Sequence, residues 1–313
     1  MDMQKKKLII LAGPTAAGKT AVSVSLAKRV DGEIISADSM QVYRHMDIGS
    51  AKIKEEEMEN IPHHLIDVLS PKEEFNITLF QAMAKQAMAL IEERGRLPIL
   101  TGGTGFYIQS LLYDIDFAPE AKDEGLRTDL EEEYEKEGAK KMHQKLRLLD
   151  PDAADAIHPN NKKRVLRAIE YALSTGEKIS EHNRRERAKS SPYDFHYFVL
   201  SMDREKLYQR IDRRVDKMME EGLLEEVKML REMGLNKDFV SMQGLGYKEI
   251  LSHLEGEISL ERAIYLIKRD TRHFAKRQLT WFKREPEAIW IDIERFADAS
   301  EIAKYLHSSF FLH

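Results

Sequence analysis

There is no cysteine anywhere in the 313 residues, so disulfides and thiolate metal sites are excluded. No apolar run approaches the length needed to cross a bilayer. The opening "MDMQKKKLIILAG" leads straight into a strand rather than a signal peptide. A soluble, cytoplasmic protein with no membrane partner is therefore expected. Internal repeats and low-complexity tracts are also missing. Nor is there an excess of positive charge: the formal net charge is −5, which gives no global reason to expect nucleic acid. Local charge does. Residues 160–189 carry nine Lys/Arg against four Glu, a balance of +5, and residues 268–284 carry seven against one Asp, or +6. Residues 120–137 run the other way, with nine acids against three bases, or −6. The average hides two basic surfaces and one acidic one.

What is present begins with "IILAGPTAAGKTAVS". Gly13 to Thr20 match G-x-x-x-x-G-K-T in full, between an apolar run fit for a buried strand (Leu8–Leu11) and a helical segment from Ala21. Gly13 and Gly18 let backbone amides turn toward an anion at the helix N-terminus. Lys19 supplies a point charge, and the Thr20 hydroxyl is placed to hold magnesium. The loop marks a phosphate site. It does not say which phosphate compound enters.

The first 113 residues alternate strand and helix. Strands are predicted at Glu33–Ala37, at 63–69 ("HHLIDVL") and at 97–101, with a helix over Ile77–Glu93. This is the rhythm of a doubly wound parallel α/β sheet with its site at the carboxyl ends of the strands. Residues 117–196 break it: they are charged, helical and punctuated by Gly138, Pro151, Pro159 and Gly176. The reading is a catalytic core over 1–116 and 197–313 with a helical insertion at 117–196. Within the core, "FHYFVL" (195–200) returns to the sheet and "AIWID" (288–292) is a last strand.

Asp38, at a strand end, admits three roles: a magnesium ligand, a general base, or a turn cap in "SADSMQ". No acid ends the 97–101 strand, so it is not a Walker B strand, and Asp38 is the best catalytic acid on the chain. "TGGTGFY" is a second glycine-rich turn, offering Thr101 and Thr104. Arg210 and Arg214 lie four apart on one helical face, with Arg213 and Lys217 adjacent; without context a solvated charged face is the simpler account. "NNKKRVLRAIE" and "KRDTRHFAKRQLTWFKRE" interleave bases with apolar and aromatic residues. Such surfaces grip phosphate backbones and stack on unpaired bases, although ordinary amphipathic helices look similar.

In order along the chain, "GPTAAGKT", "SADSMQVYRHMDIGSAK", "TGGTGFY", "RVLRAIE", "MQGLGYKE" and "KRQLTWFKRE" resemble the successive motifs of bacterial tRNA dimethylallyltransferases, the IPP transferase family of tRNA isopentenyltransferases. The resemblance runs from Leu8 to about Asp292. With no cysteine for a zinc finger, the chain looks like the compact bacterial form. The resemblance implies a P-loop sheet whose loop holds the diphosphate of dimethylallyl diphosphate rather than ATP. It implies transfer of the dimethylallyl group to N6 of adenosine 37, next to the anticodon, in tRNAs reading codons that begin with U.

Carried over by motif, Gly13, Pro14, Thr15, Ala16, Ala17, Gly18, Lys19 and Thr20 would hold the diphosphate, with Mg2+ at Thr20. Asp38 would face the adenine amine as base, with Arg214, and Thr101 across the channel, assisting the leaving group and the base. The anticodon stem-loop would be touched by Asp38, Ser39, Met40, Gln41 and Thr104, and by Arg127 and the run Lys163, Arg164, Val165, Leu166, Arg167. It would also meet Gln243, Gly246, Tyr247 and Lys248, then Lys276, Arg277, Gln278, Trp281 and Lys283. A monomer is expected. One departure is Ala17, where many relatives have Ser; a cradle of backbone amides should tolerate it.

The chemistry fits the residues independently. An adenine amine is a poor nucleophile, so catalysis must come mostly from stabilising diphosphate departure. A carboxylate need only orient the amine and take its proton late. A stacked base must first be extruded, which suits a basic, aromatic surface. The rival reading is a P-loop small-molecule kinase, with Asp38 as its base. It needs a Walker B acid and has no use for the two basic–aromatic segments.

Overall fold

The structure is a computed structural model and describes residues 5–117 and 124–311. Residues 120–123 of the acidic stretch lie outside the described residues. Two compact units divide the chain: one runs to Leu112 and resumes at Pro192, and the other is Tyr113–Ser191.

The first unit is built on six parallel strands. They are β1 (Lys6–Ala12), β2 (Gly32–Ala37), β3 (His63–His64), β4 (Leu97–Gly102), β5 (Tyr193–Ser201) and β6 (Ala288–Asp292), in the order β3-β2-β4-β1-β5-β6. Helices cover a sheet of this kind on both faces, so its strands read as apolar runs rather than alternating ones. Ile9, Ile34, Ile99, Phe198 and Leu200 join one core with Val22 and Leu26 of the Lys19–Val30 helix and Ile302, Leu306 and Phe310 of the last helix, Ala299–Phe311. The Ile77–Glu93 helix buries Phe80, Ala84, Ala87, Met88 and Ile91 at helical spacing, and Asn76 caps it by accepting from the Leu79 amide at 2.9 Å.

Register is what makes a site. Ala12 of β1 pairs with Gly102 of β4, and Ala37 of β2 pairs with the same Gly102. Three strands therefore end level, and Gly13, Gly103 and Asp38 leave the sheet side by side at its carboxyl edge.

One expected strand differs. The segment 63–69 pairs with β2 only at His63–His64, because Leu65 and Asp67 adopt left-handed φ values of 63° and 55°. The buried ammonium of Lys52 explains the bend. It bonds the Asp67 carboxylate at 2.5 Å and the Tyr43 carbonyl at 2.8 Å, holding the chain beside Tyr43, where Leu69 forms an isolated bridge outside the sheet. An apolar run cannot reveal a charge that reaches it from fifteen residues away.

The second unit is helical: Glu124–Leu149, interrupted at Gly138, then Pro151–Ala156, Lys162–Thr175 and Ile179–Arg187. Its own core contains Leu130, Met142, Leu146, Val165, Leu166 and Ile169. No helix among the described residues is long and apolar enough to cross a membrane.

Candidate active site

The floor of the site is the phosphate loop. The helix that follows it, Lys19–Val30, has Gly18 as its N-cap and no side chain capping it. Its first-turn amides are thus open to an anion, with the positive end of the helix dipole behind them. Lys19 folds back over the loop and donates to the carbonyls of Gly13 and Pro14, both at 2.9 Å. Ala16 packs against Leu207, Ile211 and Ala275. That small apolar contact docks two long helices, Arg204–Glu220 and Leu260–Phe282, onto the loop.

The docking decides where charge goes. Leu207, Ile211 and Val215 form the buried stripe of the Arg204–Glu220 helix. Asp212 and Asp216 on the same helix are taken by Arg272 and Lys268 of its neighbour. Arg210, Arg213, Arg214 and Lys217 then line a cavity of about 510 Å³ together with Thr15, Lys19, Thr20, Asp38, Thr101 and Phe274. The solvated charged face is in fact a cavity wall. Arg214 donates to the Thr15 hydroxyl at 3.4 Å. Burial is the main cause that lowers the Lys19 ammonium to about 8, and Arg214 adds to it while Asp38 opposes. Arg214 is itself shifted down, chiefly by burial, against the pull of Asp38. Five cations crowd a cavity with one carboxylate, so the site is built for an anion of several charges.

Asp38 is held rather than free to swing. Its Oδ1 accepts from the amides of Met40 at 2.8 Å and Gln41 at 3.3 Å, and Oδ2 makes no hydrogen bond among the described residues. It is a turn cap and a cavity-lining carboxylate at once. Thr101 donates to the Leu11 carbonyl at 3.1 Å. No group of three or more His, Asp or Glu able to hold a metal exists among the described residues. Thr20 and Asp38 line the same cavity. The Thr20 hydroxyl, completed by phosphate oxygens and water, gives an all-oxygen donor set of the kind magnesium takes.

The RNA contacts inferred from the motifs fall into two groups. Gln243, Lys248, Lys276, Arg277 and Lys283 are exposed, and Arg277 lies over Phe274 at 5.7 Å from the ring centre. Others have structural employment. Gln278 is buried and bridges two loops, accepting from the Thr15 amide and donating to the Gly103 carbonyl, each at 2.9 Å. Trp281 meets Phe106 edge-on, with ring centres 5.9 Å apart, and carries Arg284 over its ring. Tyr247 is wholly buried, and the Gly246 amide bonds Glu249 at 2.8 Å. Met40 lies against Gly244, where an added Cβ would meet its methyl group at 2.6 Å. Ser39 is half-buried beside Met40, and the Thr104 amide donates to the Ala37 carbonyl at 3.3 Å.

In the helical unit, Lys163 and Arg164 are exposed at the start of the Lys162–Thr175 helix. Val165 and Leu166 put their side chains in the core, and Arg127 is occupied by Glu131 at 2.8 Å and Glu170 at 3.2 Å. Arg167 approaches the same Glu170 at 4.0 Å.

Arg210, Arg213, Lys217 and Phe274 were not assigned to the site from sequence, although the spacing of the first three was visible. Glu226 was missed outright. Nothing in "EEGLLEEV" distinguishes it from its neighbours.

Comparison with known proteins bears on this geometry. A family model described as IPP transferase matches residues 41–285. A curated tRNA dimethylallyltransferase from Lachnoclostridium phytofermentans is 59% identical over 294 residues, 94% of each chain. The crystal structure of the full-length tRNA isopentenylpyrophosphate transferase from Bacillus halodurans aligns over 99% of this chain and 100% of its own, with 45% identity and a TM-score of 0.73. A eukaryotic dimethylallyltransferase acting on tRNA aligns over 96% of this chain and 75% of its own, with 32% identity and a TM-score of 0.81.

Proposed function

This chain belongs to the IPP transferase family, and from that premise we propose its reaction in full: the dimethylallyl group of dimethylallyl diphosphate passes to N6 of adenosine 37, beside the anticodon, in tRNAs reading codons that begin with U. Dimethylallyl transfer to tRNA is the activity of the family and of its 59%-identical relative. The acceptor atom, the residue roles and the metal are our reading. The observation that carries it is one cavity in which a phosphate loop and five cations face a single half-buried carboxylate, Asp38.

In this reading the diphosphate lies on the phosphate loop and the open first-turn amides of the Lys19–Val30 helix, the Thr15 amide staying with Gln278, and Lys19 leaves the Gly13 and Pro14 carbonyls to meet it. Arg214, anchored at Thr15, stabilises the charge that grows on the leaving oxygen as the carbon–oxygen bond breaks and its electron pair goes to the diphosphate. The N6 lone pair forms the new bond to the allylic carbon, and Asp38 Oδ2 takes the N6 proton. Magnesium, when bound, would supply further charge to the diphosphate, held through Thr20 with Asp38 close by. Gln41 and Thr101 shape the wall on the adenine side.

Exposed Lys276, Arg277 and Lys283 in the first unit, and Lys163 and Arg164 in the second, offer charge to the anticodon stem-loop phosphates. At Val165 and Leu166 only the backbone is available for such contact. We take the enzyme to act in the cytoplasm as a monomer.

A kinase reading is not favoured. Near the end of β4, Thr101 donates its hydroxyl to the Leu11 carbonyl, and the residues that follow, Gly102 to Gly105, include no acid. The decisive test is incubation of an anticodon stem-loop with dimethylallyl diphosphate and magnesium, followed by fragment mass analysis. A dimethylallyl mass increment on adenosine 37 alone is expected. An unmodified RNA, or a donor displaced by ATP at equal concentration, would overturn the reading.

A further inference from the structure

Glu226 sits on the Leu223–Glu232 helix, 8% exposed, with no part in the chemistry above. Its carboxylate collects four donors. Oε2 accepts from the amides of Asp47 at 2.9 Å and Ile48 at 2.7 Å, while Oε1 accepts from the amide of Gly49 at 3.1 Å and the Tyr247 hydroxyl at 2.7 Å. Three successive backbone amides turned onto one buried anion fix that turn closely, because each would otherwise be left without a partner. Burial, and then the charge of Glu226, push the Tyr247 phenol well above its ordinary value, so it stays a donor. Residue 49 must be glycine here: a Cβ would stand 2.5 Å from the Tyr247 ring.

The turn leads into the reaction cavity. Gln41 donates to the carbonyls of Ser50 and Ala51, each at 3.4 Å, and accepts from the Ser36 hydroxyl at 3.1 Å. The backbone N–H of Gln41, not its side chain, donates to Asp38 Oδ1 at 3.3 Å. Ser50, Gln41 and Asp38 line the same cavity. Glu226 is thus linked to the carboxylate through the backbone of the 47–51 turn and through Gln41, whose side chain holds the turn and whose backbone holds Asp38.

We propose that Glu226 is a positioning residue for the transfer reaction, setting the angle of the Asp38 carboxylate through the 47–51 turn and Gln41. The inference rests on the reading that Asp38 takes the amine proton. Glu226→Gln replaces one acceptor oxygen by an NH2 group facing donors, and so loosens the turn without removing any group from the cavity.

The test is a double-mutant cycle in kcat, with Glu226→Gln placed in the parent and in an Asp38→Asn background. Misplacement by about 1 Å costs up to about a hundredfold. The expected result is a kcat loss of about tenfold to a hundredfold in the parent and less than about threefold in the Asp38→Asn background, with pyrophosphate affinity unchanged. Equal losses in both backgrounds, or an unchanged kcat in the parent, would overturn the inference. If Glu226→Gln does not fold, Gly49→Ala carries the same cycle, since it forces the turn from Tyr247 while leaving Glu226 in place. Failure of the parent enzyme to transfer at all would instead refute the functional reading, so the two failures are distinguishable.

Discussion

Gln278 donates its side-chain amide to the Gly103 carbonyl at 2.9 Å, and a Cβ on residue 103 would stand 2.1 Å from that same nitrogen. The other end of the amide accepts from Thr15 in the phosphate loop. One side chain therefore joins the loop after β1 to the loop after β4. Gly103→Ala should expel it and leave the Thr15 amide without a partner. We expect a loss of about 1–3 kcal/mol of stability, the scale of buried groups left unpaired, together with weaker pyrophosphate binding. Urea unfolding and titration check it. An unchanged midpoint with unchanged affinity would sink the account.

The Asp38 carboxylate is predicted to act on the proton and not on the donor. Asp38→Asn keeps an oxygen to cap Met40 and Gln41 but no longer accepts a proton. The transfer rate should fall by about two to four decades, the usual range for general-base help. Pyrophosphate affinity should survive, and isothermal titration measures it. Joint loss of magnesium and donor binding would instead make Asp38 a metal ligand.

Lys19 should impart a pH dependence of definite sign. In the folded, ligand-free protein it loses its proton near 8 rather than at its ordinary 10.5. Between those values the unfolded chain binds more protons, so the Lys19 contribution makes stability rise with pH through this window. Binding runs the other way, because the diphosphate prefers the ammonium. The Lys19 contribution to pyrophosphate affinity, read against the Lys19→Met variant, should be full below about pH 7 and about tenfold smaller at about pH 9. Titrations across that range decide it, and Lys19→Met should bind weakly at every pH without the fall.

Salt dependence should separate the helical unit from the chemistry. Lys163 and Arg164 are exposed, and replacing both by Ala should flatten the slope of log affinity for the stem-loop by about one to two. Turnover at saturating RNA should change little. A collapsed saturated rate with an unchanged slope would place these residues in catalysis instead of RNA binding.

Much was legible in the chain because its signals are local. The phosphate loop is a contiguous strand, turn and helix start, and the Ile77–Glu93 helix and Ala288–Asp292 strand follow from periodicity and flanking residues alone. The parallel order of β1, β2 and β4 is implied by the alternating elements, and it puts Asp38 beside the loop. Tertiary structure decided the rest. The strand expected at 63–69 stops after two residues because Lys52 pulls Asp67 out of line. Arg210, Arg213 and Lys217 become cavity residues only once Asp212 and Asp216 are claimed by Arg272 and Lys268 on another helix. Gln278 reaches Thr15 across 263 residues, and Glu226 reaches Gly49 across 177. Periodicity reports which face of an element is apolar. A hydrogen bond or ion pair between distant segments leaves no such pattern, because its partner is set by how the sheet and helices pack.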